Sequence, residues 1–308
     1  MKNGLVIKST GSWYYVKTEE GEILPCKIKG TYRMKGIRAT NPVAVGDQVT
    51  FSLSDEGSGL ISAIEDRKNY IIRRSANLSK AYQLIASNID QAILMITLKQ
   101  PKTHLEFIDR YLVSAEAFRI PTILFFNKCD LYSAEEKSEM QALMALYSGI
   151  GYKSISLSLK THENLDEVRS ILSKKVSVLS GNSGVGKSTL LNQLDPNLKV
   201  KTSKISDYHR SGKHTTTNAE MYFFESGTRI IDTPGIKGFG TVDITKEELF
   251  HFFPEIFSHS KKCKFHNCLH VNEPECAVLE AVMNQQISES RYRSYFALLA
   301  DMEDKYRK

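Results

Sequence analysis

Residues 181–188 read Gly-Asn-Ser-Gly-Val-Gly-Lys-Ser, and no other stretch restricts the fold so tightly. Such a loop works only where a strand delivers it and a helix leaves it. The glycines let backbone N–H groups turn inward on phosphate oxygens, and the helix N-terminus adds its positive dipole end. The flanks meet that demand: an apolar run closes at Leu179, and Leu190-Leu191 opens a helix. The chain must therefore contain a parallel sheet with its ligand at the carboxyl-terminal edge of the strands. Lys187 is placed to neutralise β and γ oxygens and Ser188 to ligate Mg²⁺. The phosphate-binding candidates are Gly181, Asn182, Ser183, Gly184, Val185, Gly186, Lys187, Ser188 and Thr189.

Two further segments fit the same ligand. Asp232-Thr233-Pro234-Gly235 follows the strand pattern of Arg229 to Ile231, bringing a carboxylate to the metal and the Gly235 amide to the γ-phosphate. Between it and the loop, Gly212-Lys213-His214-Thr215-Thr216-Thr217 is a polar segment where a second Mg²⁺ ligand is needed; Thr216 is the candidate, with Thr215 the alternative. The base is decided elsewhere. Strand Thr122 to Phe126 runs into Asn127-Lys128-Cys129-Asp130. A carboxylate at Asp130 can accept both N1–H and N2–H of guanine, a pairing adenine cannot return. Lys128 would lie along the base plane, and Asn127 would tie this loop to the phosphate loop. Ser158-Leu159-Lys160, past strand Lys153 to Leu157, fits a second base loop whose amide meets guanine O6.

The order of these segments is unusual. In the common arrangement the phosphate loop comes first and the base loops last, but here Asn127 and Ser158 precede Gly181. A parallel sheet tolerates the change, because joining the old ends through Leu172 to Val176 leaves every strand and site loop in place. The chain reads as circularly permuted.

On either side the pattern changes. Residues 1 to about 66 alternate in short runs punctuated by Gly11, Gly21, Gly46 and Gly57, the pattern of a small β-barrel. Within it, Lys27, Lys29, Arg33, Lys35 and Arg38 carry five positive charges and no acid around Tyr32, a basic loop suited to a polyanion. Capping boxes at Ser133–Glu136 and Thr245–Glu248 each predict a helix start. After residue 243 the pattern is helical, with Phe250, Phe253, Ile256 and Phe257, then Tyr292, Tyr295, Leu299 and Met302, at helical spacing. Of five cysteines, Cys263, Cys268 and Cys276 fall within 14 residues beside His266 and His270. Three thiolates and one imidazole make the donor set of a closed tetrahedral zinc site. No apolar run approaches the ~20 residues that span a bilayer, and the start leads into no signal-peptide core, so a cytoplasmic protein is expected.

At this point the sequence resembles the circularly permuted, ribosome-small-subunit-dependent GTPases of the RsgA (YjeQ) family, over nearly the whole chain. The resemblance rests on the basic barrel, the order Asn127-Lys-Cys-Asp, Ser158-Leu-Lys, Gly181 to Ser188, His214-Thr-Thr-Thr, Asp232-Thr-Pro-Gly, and the Cys-rich tail. It implies an OB-like barrel over 1–66 that binds RNA, a permuted α/β GTPase domain over 67–242, and a helical zinc-binding domain over 243–308. It implies His270 rather than His266 as the fourth ligand, completing Cys263, Cys268, His270 and Cys276 around one structural Zn²⁺. Ile236 stands where Ras-like domains carry a water-orienting Gln. Another group must orient the nucleophile; His214 is the candidate, and the family shares that feature. The implied activity is Mg²⁺-dependent hydrolysis of GTP to GDP during maturation of the small ribosomal subunit, with that subunit and its 16S rRNA as partners, no membrane, and a monomeric state. The alternative is a constitutive RNA-binding protein with GTP as a structural ligand. A metabolic kinase would have no use for the guanine motif or the Cys₃His tail.

Overall fold

The computed structural model describes residues 1–10, 12–28, 39–54, 57–74, 82–200, 219–233 and 244–304. The chain opens with β1 (Lys2–Ser9), β2 (Tyr14–Thr18), β3 (Ile23–Ile28), β4 (Ala39–Asn41), β5 (Gln48–Leu53) and β6 (Gly59–Ile64). Five of these close into a barrel in the order β1-β2-β3-β6-β5, because β1 pairs with both β2 and β5. Alternate residues point inward, so Val6, Val16, Cys26, Val49, Phe51 and Ile61 fill the interior. The short alternating runs of residues 1 to about 66 thus become the barrel strands expected of them.

β4 leaves the barrel and joins β8 (Tyr82–Ser87) and β7 (Tyr70–Arg74) in a small separate sheet. Asp47 pins the two sheets together. Its buried carboxylate accepts from the Ala44 amide at 2.8 Å, from Arg67 Nε at 2.6 Å and from Ser87 Oγ at 2.6 Å. A buried charge so fully bonded is tolerable, whereas an unpaired one is not.

The α/β unit follows as β9 (Gln91–Ile96), α1 (Leu105–Ala117), β10 (Thr122–Phe126), α2 (Ala134–Gly149), β11 (Lys153–Ser156), α3 (Leu165–Leu172), β12 (Val176–Gly181), α4 (Lys187–Leu194), β13 (Glu220–Phe223) and β14 (Arg229–Asp232). Its strands lie in the order β11-β10-β9-β12-β14-β13, parallel except for β13. Helices cover both faces of the central strands, which is why all six residues of β9 are buried. Ser133 caps α2 with its hydroxyl on the Glu136 amide while Glu136 reaches back to the Ser133 amide, the reciprocal box expected from the sequence. The β13 edge does not end the sheet. β1 pairs antiparallel with β13, so barrel and α/β unit share one sheet of eleven strands.

The tail departs from expectation. Only half of the box at Thr245 forms: the Glu248 carboxylate accepts from the Thr245 amide, but the Thr245 hydroxyl donates to that same carboxylate while the Glu248 amide donates to Thr245 O, and no α-helix grows from it. A 3₁₀ turn at Leu249–Phe252 is followed by α5 (Pro254–Ser260). Pro254 is the reason: the residue before proline is pushed out of the helical region, and Phe253 is extended at φ −115°, ψ 96°. The spacing of Phe250, Phe253, Ile256 and Phe257 is thus shared between two elements. The chain closes with α6 (Ala277–Met283) and α7 (Glu289–Asp304), whose Tyr295, Leu299 and Met302 are buried. Among the described residues no helix is long and apolar enough to cross a membrane.

Candidate functional site

The carboxyl-terminal edge of the parallel strands gathers segments far apart in the chain. β12 ends at Gly181, whose φ is +141°; a Cβ there would meet Met95 O at 2.6 Å, so only glycine lets the loop cross β9. The loop turns into α4 through Gly186, also at positive φ, and its place is packed against the Asn127 side chain. Lys187 Nζ donates to Gly181 O at 2.7 Å and Asn182 O at 3.0 Å, which folds the amine back over the loop. Burial lowers its pKa and Asp232 opposes that.

β10 delivers the base loop beside it. Asn127 is buried; its Nδ2 donates to Val185 O at 2.7 Å and its Oδ1 accepts from the Leu159 amide at 3.4 Å. One side chain therefore joins all three loops. Lys128 sits at positive φ with Nζ on Gln100 O at 2.5 Å, which holds its stem beside the loop after β9. Ser158 Oγ donates to Asp130 Oδ1 at 2.7 Å and accepts from the Thr161 amide at 3.1 Å, so Ser158 orients the carboxylate expected to read guanine. Leu159 is buried among the apolar residues beneath. Tyr132 adds a support that spacing does not reveal: its hydroxyl accepts from the Leu98 amide at 2.9 Å and donates to Asn127 O at 2.8 Å.

β14 ends at Asp232. Burial raises its pKa, Lys187 pulls it down and Glu220 raises it further. Among the described residues Asp232 Oδ1 is buried with no hydrogen-bond partner. An orphaned carboxylate oxygen in the field of Lys187, with Ser188 at the start of α4, suits a hard divalent cation, whose charge would hold Asp232 ionised. His214, Thr215, Thr216, Gly235 and Ile236 lie outside the described residues, as do Lys29, Arg33, Lys35 and Arg38 of the basic loop. Lys27 is described, with Nζ 4.4 Å from the Trp13 ring centroid.

The second centre lies in the tail. One ligand atom each from Cys263, Cys268, His270 and Cys276 fall within 4.8 Å of one another, so the group could hold one metal ion. His270 Nδ1 stands 3.6 Å from Cys263 Sγ and 3.5 Å from Cys276 Sγ, and Cys276 Sγ is 3.6 Å from Cys268 Sγ and 3.9 Å from Cys263 Sγ. A tetrahedron with metal–sulfur bonds of ~2.3 Å has sulfur–sulfur edges of ~3.8 Å, so the spacing fits. His266 is not part of the group. Burial lowers the His270 pKa, favouring the neutral imidazole a metal needs, and pushes the Cys268 thiol up to about 12, which a bound cation would reverse. The loop is fixed from within and from outside: its own Glu273 accepts from the Leu269 and Val271 amides, while the Tyr292 and Tyr295 hydroxyls of the last helix donate to His270 O and Leu269 O.

A buried junction joins the tail to the α/β unit. Arg291 of α7 donates to Asp109 of α1 at 2.6 Å and to Glu255 of α5 at 2.7 Å, and Tyr147 of α2 donates to the same Asp109 oxygen at 2.8 Å. Nothing in the local sequence marks these residues, because their spacing fits no motif.

Comparison with known proteins covers the whole chain. Residues 64–242 match the RsgA GTPase family and residues 3–61 the RsgA N-terminal domain. The small ribosomal subunit biogenesis GTPase RsgA of Bacteroides fragilis is 55% identical over 305 residues, spanning 99% of this chain and 98% of that protein. The protein of the same description from Christiangramia forsetii is 52% identical over 307 residues, with the same two coverages. Among solved structures, YjeQ from Thermotoga maritima superposes with a TM-score of 0.77 at 35% identity over 98% of each chain. YloQ, a circularly permuted GTPase, gives 0.73 at 31% identity over 99% of this chain and 96% of its own.

Proposed function

The chain belongs to the RsgA GTPase family, and we propose that it hydrolyses GTP to GDP and phosphate as an assembly factor for the small ribosomal subunit. The observation that carries the reading is Asn127, whose one amide group ties the Asp130 loop, the Leu159 amide and the phosphate loop into a single pocket. A pocket so joined selects guanine and grips phosphate at once. Asp130 pairs with the N1–H and N2–H of the base, with Ser158 holding it in place. Loop amides and Lys187 neutralise the charge that spreads over the γ-phosphoryl oxygens as its bond to the β-phosphate breaks. Ser188 and Asp232, with Thr216, hold Mg²⁺, which supplies further positive charge to the phosphates. His214 orients the attacking water.

The Cys₃His group takes Zn²⁺ through four protein donors. No position is left for a reacting water, so the ion is structural. The barrel and its basic loop contact 16S rRNA through phosphates, and the protein works in the cytoplasm as a monomer that binds in the GTP state and leaves after hydrolysis. The test is GTP turnover with and without purified small subunits. Stimulated multiple turnover is expected, and His214→Ala should lower turnover far more than nucleotide affinity. Stoichiometric GTP binding without turnover in either condition would instead make the nucleotide a structural ligand.

A further inference from the structure

The continuous sheet places three charged side chains in one row. Lys8 of β1 is the register partner of Glu220 on β13, and Glu220 is the register partner of Asp232 on β14. Directly opposed residues project to the same face. Lys8 Nζ donates to the two Glu220 oxygens at 3.1 and 3.2 Å. Tyr222, further along β13, is raised by burial first and then by both Glu220 and Asp232, so the two carboxylates share one neighbourhood. The row runs positive, negative, negative, and Lys187 adds a positive charge beyond Asp232.

We propose that Lys8, a barrel residue, is a positioning residue for the Mg²⁺ site of the α/β unit, acting through Glu220. The inference rests on the reading of Asp232 as a Mg²⁺ ligand. Two facing carboxylates would present double negative charge to that site. Such a site attracts the cation more strongly and repels the nucleotide's phosphates, tightening the dependence of nucleotide binding on Mg²⁺. Lys8 cancels the second carboxylate and holds it on the barrel side of β13, so Asp232 alone faces the metal. The sheet join is therefore also an electrostatic one: whatever lifts β1 from β13 changes the Mg²⁺ dependence, and reciprocally.

A merely mechanical link makes a different prediction. If Lys8 and Glu220 only fasten the barrel, removing either partner breaks the same bond and moves any readout in the same direction. If they act by charge, the two removals oppose. Both side chains are more than a third exposed, so the variants should fold. The measurement is the affinity of N-methylanthraniloyl GDP in excess Mg²⁺ divided by that in EDTA. Lys8→Ala should enlarge the ratio on the order of threefold, the effect of a partly screened unit charge. Glu220→Gln should reduce it, the double variant should return to the wild-type ratio, and Lys8→Arg should leave it unchanged. Shifts of the same sign in the two single variants, or no shift in either, overturn the inference while leaving the metal site standing. A wild-type protein whose affinity ignores Mg²⁺ overturns the Asp232 reading itself, and this inference with it.

Discussion

All four donors of the Cys₃His group come from residues 263–276, whereas the proposed nucleotide site draws on Asn127, Ser158, Gly181 to Ser188 and Asp232, delivered by four different strands. The cluster is a local object, and a short stretch wrapped around an ion can form wherever that stretch is present. The nucleotide site is a property of the sheet: its loops meet because β10, β12 and β14 run parallel and end at one edge. Each is therefore open to a different kind of damage. Local chemistry should fail locally, while the pocket should fail either through its own contacts or through anything that shifts the sheet.

Removing one thiol of the Cys₃His group is the sharpest separation. Cys268→Ser is expected to abolish a metal content of about one zinc per chain and unfold the loop of residues 263–276, since structural zinc contributes ~10 kcal/mol or more to small metal domains. Nucleotide affinity should stay within about twofold, an expectation that holds only if the two regions are as independent as their construction implies. Elemental analysis alongside fluorescent GDP titration checks both; freshly purified protein without metal would remove the zinc site.

The junction is where that independence should break. Arg291→Met leaves Asp109 and Glu255 facing one another without their cation, and breaking such a buried pair costs about 3–5 kcal/mol. Burial raises the Asp109 pKa and Arg291 opposes it, so without Arg291 the carboxyl should protonate more readily. Denaturant unfolding should show both the α/β unit and the tail destabilised, in contrast to the confined loss from Cys268→Ser. Destabilisation limited to the tail would mean that α1 does not depend on α7.

The smallest effect is confined to the base. Asp130→Asn replaces an acceptor pair with a partial mismatch to guanine and should weaken GTP binding by ~1.5–3 kcal/mol while improving binding of xanthosine nucleotides. Stability and metal content should not move. Unchanged GTP affinity would remove Asp130 from the base pocket.

Much of this molecule is legible in the chain because its signals are short. The Ser133 box, the strand before Asn127 and the strand-loop-helix around Gly181 each need only neighbouring residues, and each forms at the place its spacing indicates. The helical stripe after Thr245 misleads for an equally local reason. Periodicity carried through Phe253, but the steric demand of Pro254 on the residue before it prevailed.

Legible in the chain alone is the inventory: a phosphate-loop pattern, an Asp placed to read guanine, a Cys₃His quartet with the donors for a metal, and an order that reads as permuted. Each follows from chemistry that fixes residue types at fixed spacing. Which residue supports which is settled only by packing across the fold. Asp109 and Arg291 are 182 residues apart, and Lys8 and Glu220 are 212 apart. Asn127 reaches Val185 across 58 positions. Pairings at such separations are chosen by the packing of whole sheets and helices, where a buried charge must find an opposite partner or not be buried at all, and no local pattern encodes that choice.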